Sequence, residues 1–295
     1  MNKTIKFKIS LEKKAFDKFL KKLLNKNLSK NHLDKVMKYS ALNGGKRIRP
    51  YLIRQFGTIK KIKPNYYRRL SAAIEIIHSY SLIHDDLPSM DNDDYRRGKL
   101  STHKKFNEAQ AILAGDSLHD LAFEILSDNK THMNSEIRIM LIQQFSKNLG
   151  SYGLAGGQSL DLLYEKKKIS LKKIIQMYKM KTGKLFRLCC VCPFIISKAS
   201  KKEIKFAAEY GELFGLLFQI VDDHIDTVKQ KKIIGKTPGK DIKQMKSTIS
   251  KYFNNYDINI YCKKIIDKFI MKNSLYFKKW PDLKKLLFYL INQLS

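Results

Sequence analysis

Residues 70–94, LSAAIEIIHSYSLIHDDLPSMDNDD, join an apolar segment directly to an acidic one. From Leu70 to His84 the apolar residues recur at three- and four-residue spacing, which predicts an α-helix. The next ten residues, 85–94, hold five carboxylates. Carboxylates at this density repel one another and need cations, and oxygen ligands without cysteine or suitably spaced histidine favour magnesium over zinc.

Pro88 determines how the acidic segment is arranged. Proline does not continue a helix, so the chain is expected to turn here. In an unbroken helix Asp85 and Asp91 would lie on different faces, whereas a break at Pro88 lets Asp91 return toward Asp85. Taken by itself, the segment also fits a solvated acidic loop with no ligand.

A second acidic cluster lies on one face of a predicted helix. Its members, at positions i, i+3, i+4 and i+7, are Gln219, Asp222, Asp223 and Asp226. The preceding residues 213–218 are almost all apolar, so this helix is expected to be buried, and its carboxylates must be paired or metal-bound. A structural ion-pair network with lysines is the alternative.

Two carboxylate clusters in a basic protein indicate an anionic ligand bridged by metal, and diphosphate is the natural candidate because Mg²⁺ usually takes one or two carboxylates plus substrate phosphates. Cationic segments that match this ligand are residues 44–50 (GGKRIRP), residues 96–99 (RRGK), residues 181–184 (KTGK), and Lys236, Lys240 and Lys246. The first segment lacks the Walker spacing, so the sequence gives no support to nucleotide triphosphate hydrolysis.

The remaining pattern favours an all-α protein. Helical spacing extends over Ala109–Leu126, Leu171–Ile196 and Phe206–Val228, whereas no train of alternating strands is found. Nothing resembles an interdomain linker. The simplest layout is therefore a single domain, residues 1–295, in which one helical bundle places the polar motifs at helix ends around a central cavity.

Composition limits the partners and the compartment. The net charge is +31, but the lysines are spread along the chain instead of forming a patch, so no nucleic-acid partner is predicted. No apolar run approaches the ~18 residues that span a bilayer, and no signal-peptide core is present, so we predict a cytoplasmic protein without an integral membrane segment. The four cysteines, Cys189, Cys190, Cys192 and Cys262, lack zinc-site spacing and are predicted to be reduced core residues.

Six motifs occur in an order that is specific to one family. They are GGKRIRP at 44–50, EIIHSYSLIHDDLPSMDNDDYRRGK at 75–99, AILAGDSL at 111–118, GGQSLDL at 156–162, KTGKLF at 181–186 and FQIVDDHID at 218–226. The chain resembles the trans-type polyprenyl diphosphate synthases, closest to their bacterial farnesyl diphosphate (geranyltransferase) branch, over about residues 39–248.

This resemblance implies an isoprenoid-synthase helical bundle and a homodimer. It also implies condensation of isopentenyl diphosphate with dimethylallyl and geranyl diphosphates, head to tail, to give (2E,6E)-farnesyl diphosphate. Mg²⁺ is the implied cofactor, with three ions around the allylic diphosphate and Mn²⁺ as an alternative. The alternatives are a geranylgeranyl or geranyl diphosphate synthase and a noncatalytic regulatory subunit. A terpene cyclase would not need a second, metal-free diphosphate site, and a head-to-head synthase would carry different acidic motifs.

The resemblance also assigns residues. The predicted isopentenyl diphosphate ligands are Lys46, Arg49, His78 and Arg97. The predicted allylic diphosphate ligands are Arg96, Lys181, Thr182, Gln219, Lys236 and Lys246. The predicted metal ligands are Asp85, Asp86, Asp91, Asp222, Asp223 and Asp226. The residues expected to be catalytic are Asp85, Asp86, Asp91, Lys181 and Asp222.

Product length is expected to depend on the helix that precedes the first acidic segment. Helical geometry favours Ser81 as the residue below the reacting end, since it lies within about 40° of Asp85 whereas Tyr80 lies about 140° away. The resemblance favours Tyr80, because an aromatic residue five positions before the first aspartate accompanies a stop at farnesyl. An ordinary core tyrosine is the alternative.

Some positions depart from the family pattern. They are Asn92, Val221, His224 and Ile249, the last within Thr248-Ile249-Ser250. All four fall outside the predicted ligand set, so they give no reason to expect loss of activity.

Overall fold

The computed structural model describes residues 2–229, 248–253 and 255–294, and helices dominate them. Their bounds are α1 Asn2–Asn27, α2 His32–Ala41, α3 Ile48–Ile59, α4 Pro64–Asp85, α5 Thr102–Lys105, α6 Glu108–Ser127, α7 Ser135–Leu149, α8 Leu154–Leu163, α9 Leu171–Tyr178, α10 Lys184–Ile196, α11 Lys201–Lys229, α12 Asn255–Lys272, α13 Ser274–Lys279 and α14 Pro281–Ile291. A π-helical turn, Lys179–Gly183, joins α9 to α10, and a 3₁₀ turn, Ile249–Lys251, precedes α12.

Two helices lie at the centre, and each has a stretch of residues that is buried on all sides. In α4 every residue from Arg69 to Ile77 is buried, and in α10 every residue from Leu188 to Ile196 is buried. Helices without a polar face must be surrounded by other helices. Accordingly, α4 packs against α3 and α6, and α10 packs against α3, α7 and α11. The predicted all-α bundle is confirmed.

Most predicted helices lie within observed ones. The segment 70–84 belongs to α4, 109–126 to α6 and 206–228 to α11. All four cysteines are buried and unbridged, as predicted, and burial raises the pKa of the Cys262 thiol to about 12. No helix among the described residues is both long and apolar enough to cross a membrane.

Two local features were not predicted. The segment 171–196 is helical throughout but contains the π-helical turn, which changes the direction in which Lys181 and Thr182 point. A two-residue antiparallel ladder, with Tyr95 opposite Leu100 and Arg96 opposite Lys99, follows the first acidic segment. Apolar periodicity does not reveal either feature, because a π turn shifts the helical spacing by one residue over a single turn and two-residue strands have no periodicity.

Candidate active site

The first acidic segment folds back on the end of α4. The helix ends at Asp85, and Asp86 occupies the C-cap. Beyond Pro88 the backbone N–H of Asp91 donates to the carbonyl of Asp85 at 2.9 Å, and the N–H of Asp93 donates to the carbonyl of Asp86 at 3.1 Å. The predicted return of Asp91 toward Asp85 is therefore confirmed.

Arg96 is tied to this acidic segment. Its Nε donates to Asp86 Oδ1 at 2.9 Å, and its Nη2 contacts the same oxygen and Asp93 Oδ2, the latter at 2.9 Å. Asp86 is only 2% exposed. The sequence placed Arg96 with the allylic diphosphate and Asp86 with the metal, whereas the structure pairs these two residues with each other.

The carboxylates of this segment are poorly stabilised as anions. Burial is the main cause that raises the pKa of Asp85 to about 6, and Lys181 opposes it. Burial likewise raises the pKa of Asp86 to about 6 against the effect of Arg96. Neighbouring carboxylates, Asp91 among them, add to both shifts. A hard divalent cation would relieve this repulsion, so the donor set fits Mg²⁺.

Among the described residues, no three His, Cys, Asp or Glu side chains converge on one metal position. This arrangement still fits Mg²⁺, which keeps several waters and takes substrate phosphates in addition to one or two carboxylates. The six predicted metal ligands stay a prediction.

Lys181 projects from the π-helical turn onto α8. Its Nζ donates to Asp161 Oδ2 at 2.6 Å, and Asp161 is 8% exposed. Burial lowers the pKa of Lys181, but Asp161, Asp85 and Asp91 outweigh it and raise the pKa above its ordinary value. Lys181 therefore lies in the field of the first acidic segment, and its ammonium stays charged.

Asp161 was missed as a functional residue in the sequence, although it stands in the motif GGQSLDL. The same motif contains Gln158, whose two side-chain polar atoms are buried with no hydrogen-bond partner in the described part of the chain. The motif also contains Gly157, where an added Cβ would lie 2.1 Å from the backbone nitrogen of Lys181. The motif itself was the signal, because a glycine pair followed by a buried acid indicates close packing.

The second acidic cluster is connected to the π-helical turn. Thr182 Oγ1 donates to Gln219 Oε1 at 2.6 Å, and Gln219 Nε2 donates to Asp223 Oδ1 at 2.7 Å. The hydroxyl of Tyr178 donates to Asp223 Oδ2. Asp222 and Asp226 are half-buried on the same helix. The structure thus brings Thr182 and Gln219 together, as expected of residues that share a ligand.

A cation cluster lies beside the glycine turn. Arg97 contacts the carbonyl of Gly44 and lies 3.4 Å from Nε2 of His78. An added Cβ on Gly45 would lie 2.8 Å from the Arg97 guanidinium carbon, and the backbone φ of 120° at this residue favours glycine. Arg49 lies 4.6 Å above the ring centre of Phe186, and its Nε is buried with no partner among the described residues.

The electrostatics of this cluster favour an anion. Partial burial and repulsion from Arg47, Arg49 and Arg96 lower the pKa of Arg97 to about 10, although Glu75 opposes the shift. Burial and the neighbouring arginines lower the pKa of His78 well below its ordinary value. Crowded cations that depress one another's pKa are stabilised by a bound anion. Three of the four predicted isopentenyl diphosphate ligands are therefore together, and the fourth, Lys46, is exposed at the adjacent turn.

Arg47 stabilises the fold through ion pairs and is not one of the residues predicted to bind the diphosphate. Its Nη1 lies 2.6 Å from Glu75 Oε2 and its Nε lies 2.8 Å from Asp17 Oδ1. Its backbone φ of 53° is left-handed at the start of α3. The buried ion pairs hold this turn in place, so Lys46 and Arg49 are positioned on either side of a structural arginine.

The two candidates for control of product length differ in environment. The Tyr80 ring meets His84 edge-on, with centroids 5.0 Å apart, and meets His119 of α6 at 5.3 Å. Ser81 Oγ donates back to the carbonyl of His78 at 3.1 Å. Tyr80 therefore faces α6, and both assignments stay predictions.

Two further points concern the extent of the site. Lys236 and Lys246, predicted to bind the allylic diphosphate, lie outside the described residues. A groove of about 430 Å³ runs between α10 and α11, lined by residues that include Arg187, Lys201 and Glu209. None of its lining residues belongs to the predicted site.

The comparisons with known proteins agree with this geometry. A sequence model described as polyprenyl synthetase matches residues 30–273. The farnesyl diphosphate synthase of Micrococcus luteus is 41% identical over 244 residues, which cover 82% of this chain and 82% of that protein. The farnesyl diphosphate synthase of Escherichia coli (strain K12) is 41% identical over 215 residues, which cover 72% of each.

Solved structures give the same result. The apo FPP/GFPP synthase of Zymomonas mobilis superposes with a TM-score of 0.85 at 32% identity and covers 99% of this chain and 100% of that chain. The geranyltransferase of Helicobacter pylori, complexed with magnesium and isoprenyl diphosphate, superposes with a TM-score of 0.80 at 30% identity and covers 97% of this chain and 96% of that chain.

Proposed function

The chain belongs to the polyprenyl synthetase family, and we propose that it makes farnesyl diphosphate by joining isopentenyl diphosphate, head to tail, to dimethylallyl and then geranyl diphosphate. One observation carries the proposal. The structure has acidic clusters at Asp85 and at Asp222, with Lys181 in the field of the first, and it also has a cation cluster of Arg49, His78 and Arg97. A condensing enzyme needs both, because it binds two diphosphates that differ in their use of metal.

The cationic environment suits isopentenyl diphosphate, whose diphosphate is not cleaved. Arg97 is held by the glycine turn, and Arg49 by the face of Phe186. His78 is neutral at pH 7, since its pKa is lowered, so it offers a hydrogen bond without adding charge. Lys46, Arg49 and Arg97 hold the diphosphate by charge, and His78 adds a hydrogen bond.

The acidic environment suits the allylic diphosphate, which leaves during the reaction. Asp85, Asp86 and Asp91 on one side and Asp222 on the other would hold Mg²⁺, with Asp223 and Asp226 as further predicted ligands. When bound, Mg²⁺ supplies positive charge that stabilises the departing diphosphate. We propose that three Mg²⁺ ions bind with the allylic diphosphate and that Mn²⁺ can replace them.

The chain's own residues position this leaving group. Lys181, kept charged by Asp161, neutralises the diphosphate as the allylic C–O bond breaks. Thr182 and Gln219 form a fixed pair beside it, and Arg96, Lys236 and Lys246 complete the proposed set. The isopentenyl double bond then attacks the allylic carbon, and the proton lost from the new unit passes to the departing diphosphate. Every atom is accounted for without a covalent enzyme intermediate.

Rival functions fit the structure less well. A terpene cyclase ionises a single diphosphate and has no use for the cation cluster at Arg49, His78 and Arg97. A noncatalytic subunit has no need for both acidic clusters. A geranylgeranyl or geranyl diphosphate synthase shares all of these features and differs only in product length, where Tyr80 and Ser81 are the proposed determinants.

The remaining features of the assembly are also proposals. Helices α6 and α7 carry exposed apolar side chains, with Ile112 at 44%, Leu113 at 49% and Ile139 at 55% exposure, which supports a homodimer formed through these helices. The single domain over residues 1–295 and the cytoplasmic location stay predictions.

The direct test is the reaction itself. Purified protein with Mg²⁺, isopentenyl diphosphate and dimethylallyl diphosphate should give farnesol as the main alcohol after phosphatase treatment and chromatography. A product of twenty carbons would indicate a geranylgeranyl diphosphate synthase, and a product of ten carbons would indicate a geranyl diphosphate synthase. A cyclic hydrocarbon made from added farnesyl diphosphate would indicate a terpene cyclase instead.

A further inference from the structure

Tyr178 is a buried tyrosine that the sequence did not single out. It is the last residue of α9, is 3% exposed, and packs its ring in the core. Its hydroxyl donates to Asp223 Oδ2 and accepts the backbone N–H of Ile249 at 3.0 Å. Ile249 is itself fully buried. The hydroxyl thus has both a donor and an acceptor role filled, which fixes its direction.

The same carboxylate anchors a second chain of hydrogen bonds. Asp223 Oδ1 accepts from Gln219 Nε2 at 2.7 Å, which turns the amide oxygen toward Thr182. Thr182 Oγ1 donates to that oxygen at 2.6 Å, so the direction of its hydrogen is set as well. Four side chains, Tyr178, Asp223, Gln219 and Thr182, therefore form one connected network from α9 through the π-helical turn to α11.

Asp223 differs from its neighbour in this respect. Both of its oxygens accept hydrogen bonds, and it is 8% exposed, whereas Asp222 is half-buried. These two hydrogen bonds use one lone pair on each oxygen and fix the orientation of the carboxylate. Asp222 is not in this network and lies close enough to Arg49 for its charge to act on that residue in the site.

We propose that Tyr178 is a positioning residue for the allylic diphosphate site and that it acts through Asp223, which anchors the network. Through Asp223, Tyr178 holds the Gln219 amide in one orientation, in which its second Nε2 hydrogen is left to donate to the diphosphate. Thr182 donates its hydroxyl hydrogen to Gln219 and so fixes the same amide from the other side. This inference rests on the proposed function, which it refines at one site.

The test compares two buried tyrosines. Tyr210 is fully buried on the same helix as Asp223, and its hydroxyl donates to the carbonyl of Leu283 at 2.9 Å, outside the network. Tyr178→Phe and Tyr210→Phe each remove one buried hydroxyl, so both should lower thermal stability. Tyr178→Phe leaves Asp223 Oδ2 and the Ile249 N–H without this partner, whereas Tyr210→Phe leaves only the Leu283 carbonyl, so the loss of stability should be larger for Tyr178→Phe. Only Tyr178→Phe should weaken binding of inorganic diphosphate in the presence of Mg²⁺, by about tenfold in calorimetric titration, because hydrogen bonds to charged groups have about that value.

Steady-state kinetics give a second readout. Tyr178→Phe should lower kcat with geranyl diphosphate by about tenfold and leave the KM for isopentenyl diphosphate unchanged, since the cation cluster lies on α3, α4 and the β-hairpin. Equal behaviour of Tyr178→Phe and Tyr210→Phe in binding and in kcat would overturn the inference. If the unchanged protein itself neither binds magnesium diphosphate nor forms product, the proposed function fails instead.

Asp223→Asn separates an anchor from a ligand, and it decides the matter even if Tyr178→Phe does not fold. For an anchor, the variant loses about tenfold in diphosphate affinity at every Mg²⁺ concentration, and adding Tyr178→Phe causes little further loss, because both changes break one network. If Asp223 is instead a metal ligand, a high Mg²⁺ concentration restores diphosphate binding to Asp223→Asn. The losses of affinity caused by Asp223→Asn and by Tyr178→Phe then multiply in the double variant. That result would refute the assignment.

Discussion

Gly157→Ala is a sharp test of how α8 and the π-helical turn position the site. An alanine Cβ at residue 157 would lie 2.1 Å from the backbone nitrogen of Lys181, 2.5 Å from its Cα and 2.7 Å from the carbonyl carbon of Met180. All three atoms belong to the backbone, so no side-chain rotation relieves the overlap.

The size of the displacement follows from these distances. Ordinary van der Waals contact begins at 3.4 Å, so α8 and the turn must separate by about 1.3 Å at this point. The turn carries Lys181 and Thr182, and α8 carries Asp161, whose contact with Lys181 is 2.6 Å. A shift of about 1 Å at a reacting group costs on the order of a hundredfold in rate. Overpacking of this kind also destabilises a fold by about 1–3 kcal/mol.

We therefore expect Gly157→Ala to lower kcat about a hundredfold and to lower Tm by several degrees, with an unchanged KM for isopentenyl diphosphate. The assay is steady-state turnover of geranyl and isopentenyl diphosphates well below Tm, with folding checked by circular dichroism. Gly150→Ala is the matched control, since its Cβ would meet only the Ser146 carbonyl at 3.4 Å. Wild-type kcat in Gly157→Ala, or an equal loss in Gly150→Ala, would refute the reasoning.

Three further predictions concern ligands, product and pH. Asp85→Ala and Asp222→Ala should each lower kcat at least about a hundredfold because each removes a proposed metal ligand, and near-normal turnover in either variant would contradict its assignment. Tyr80→Ala should shift the products toward geranylgeranyl diphosphate at preserved turnover, as measured by chromatography of the dephosphorylated alcohols. An active variant that still stops at farnesyl diphosphate would show that Tyr80 does not limit product length. Burial raises the pKa of Asp85 and Asp86 to about 6, so these groups are protonated below that pH. Protons then compete with Mg²⁺ for the two carboxylates. The Mg²⁺ concentration for half-maximal rate should therefore rise steeply from pH 7 to pH 5, and a flat dependence would show that these carboxylates do not bind the metal.

Local sequence patterns were sufficient for the helices and for the first acidic segment. The apolar spacing of residues 70–84 gave the core of α4, and Pro88 gave the turn that brings Asp91 back to Asp85. The spacing of Gln219 and Asp223 placed them on one helical face, and the structure joins them by a hydrogen bond. In each case the residues are near neighbours along the chain, so helical geometry alone relates them.

Contacts between distant segments were not predictable in this way. Asp161 and Lys181 are 20 residues apart, and Tyr178 and Asp223 are 45 apart. Their pairing depends on how α8, α9 and α11 pack around the π-helical turn, which apolar periodicity does not encode. The contact of Asp86 with Arg96 was also missed, because it depends on the short ladder that holds Arg96 as well as on the turn at Pro88.

A single-step reaction tests the central claim most directly. Purified protein is incubated with geranyl diphosphate and radiolabelled isopentenyl diphosphate, with Mg²⁺ or with EDTA, and farnesyl diphosphate and released diphosphate are both counted. We predict equal amounts of the two products with Mg²⁺ and neither with EDTA. Release of diphosphate from geranyl diphosphate without incorporation of label, or no Mg²⁺-dependent product at all, would contradict the proposed condensation.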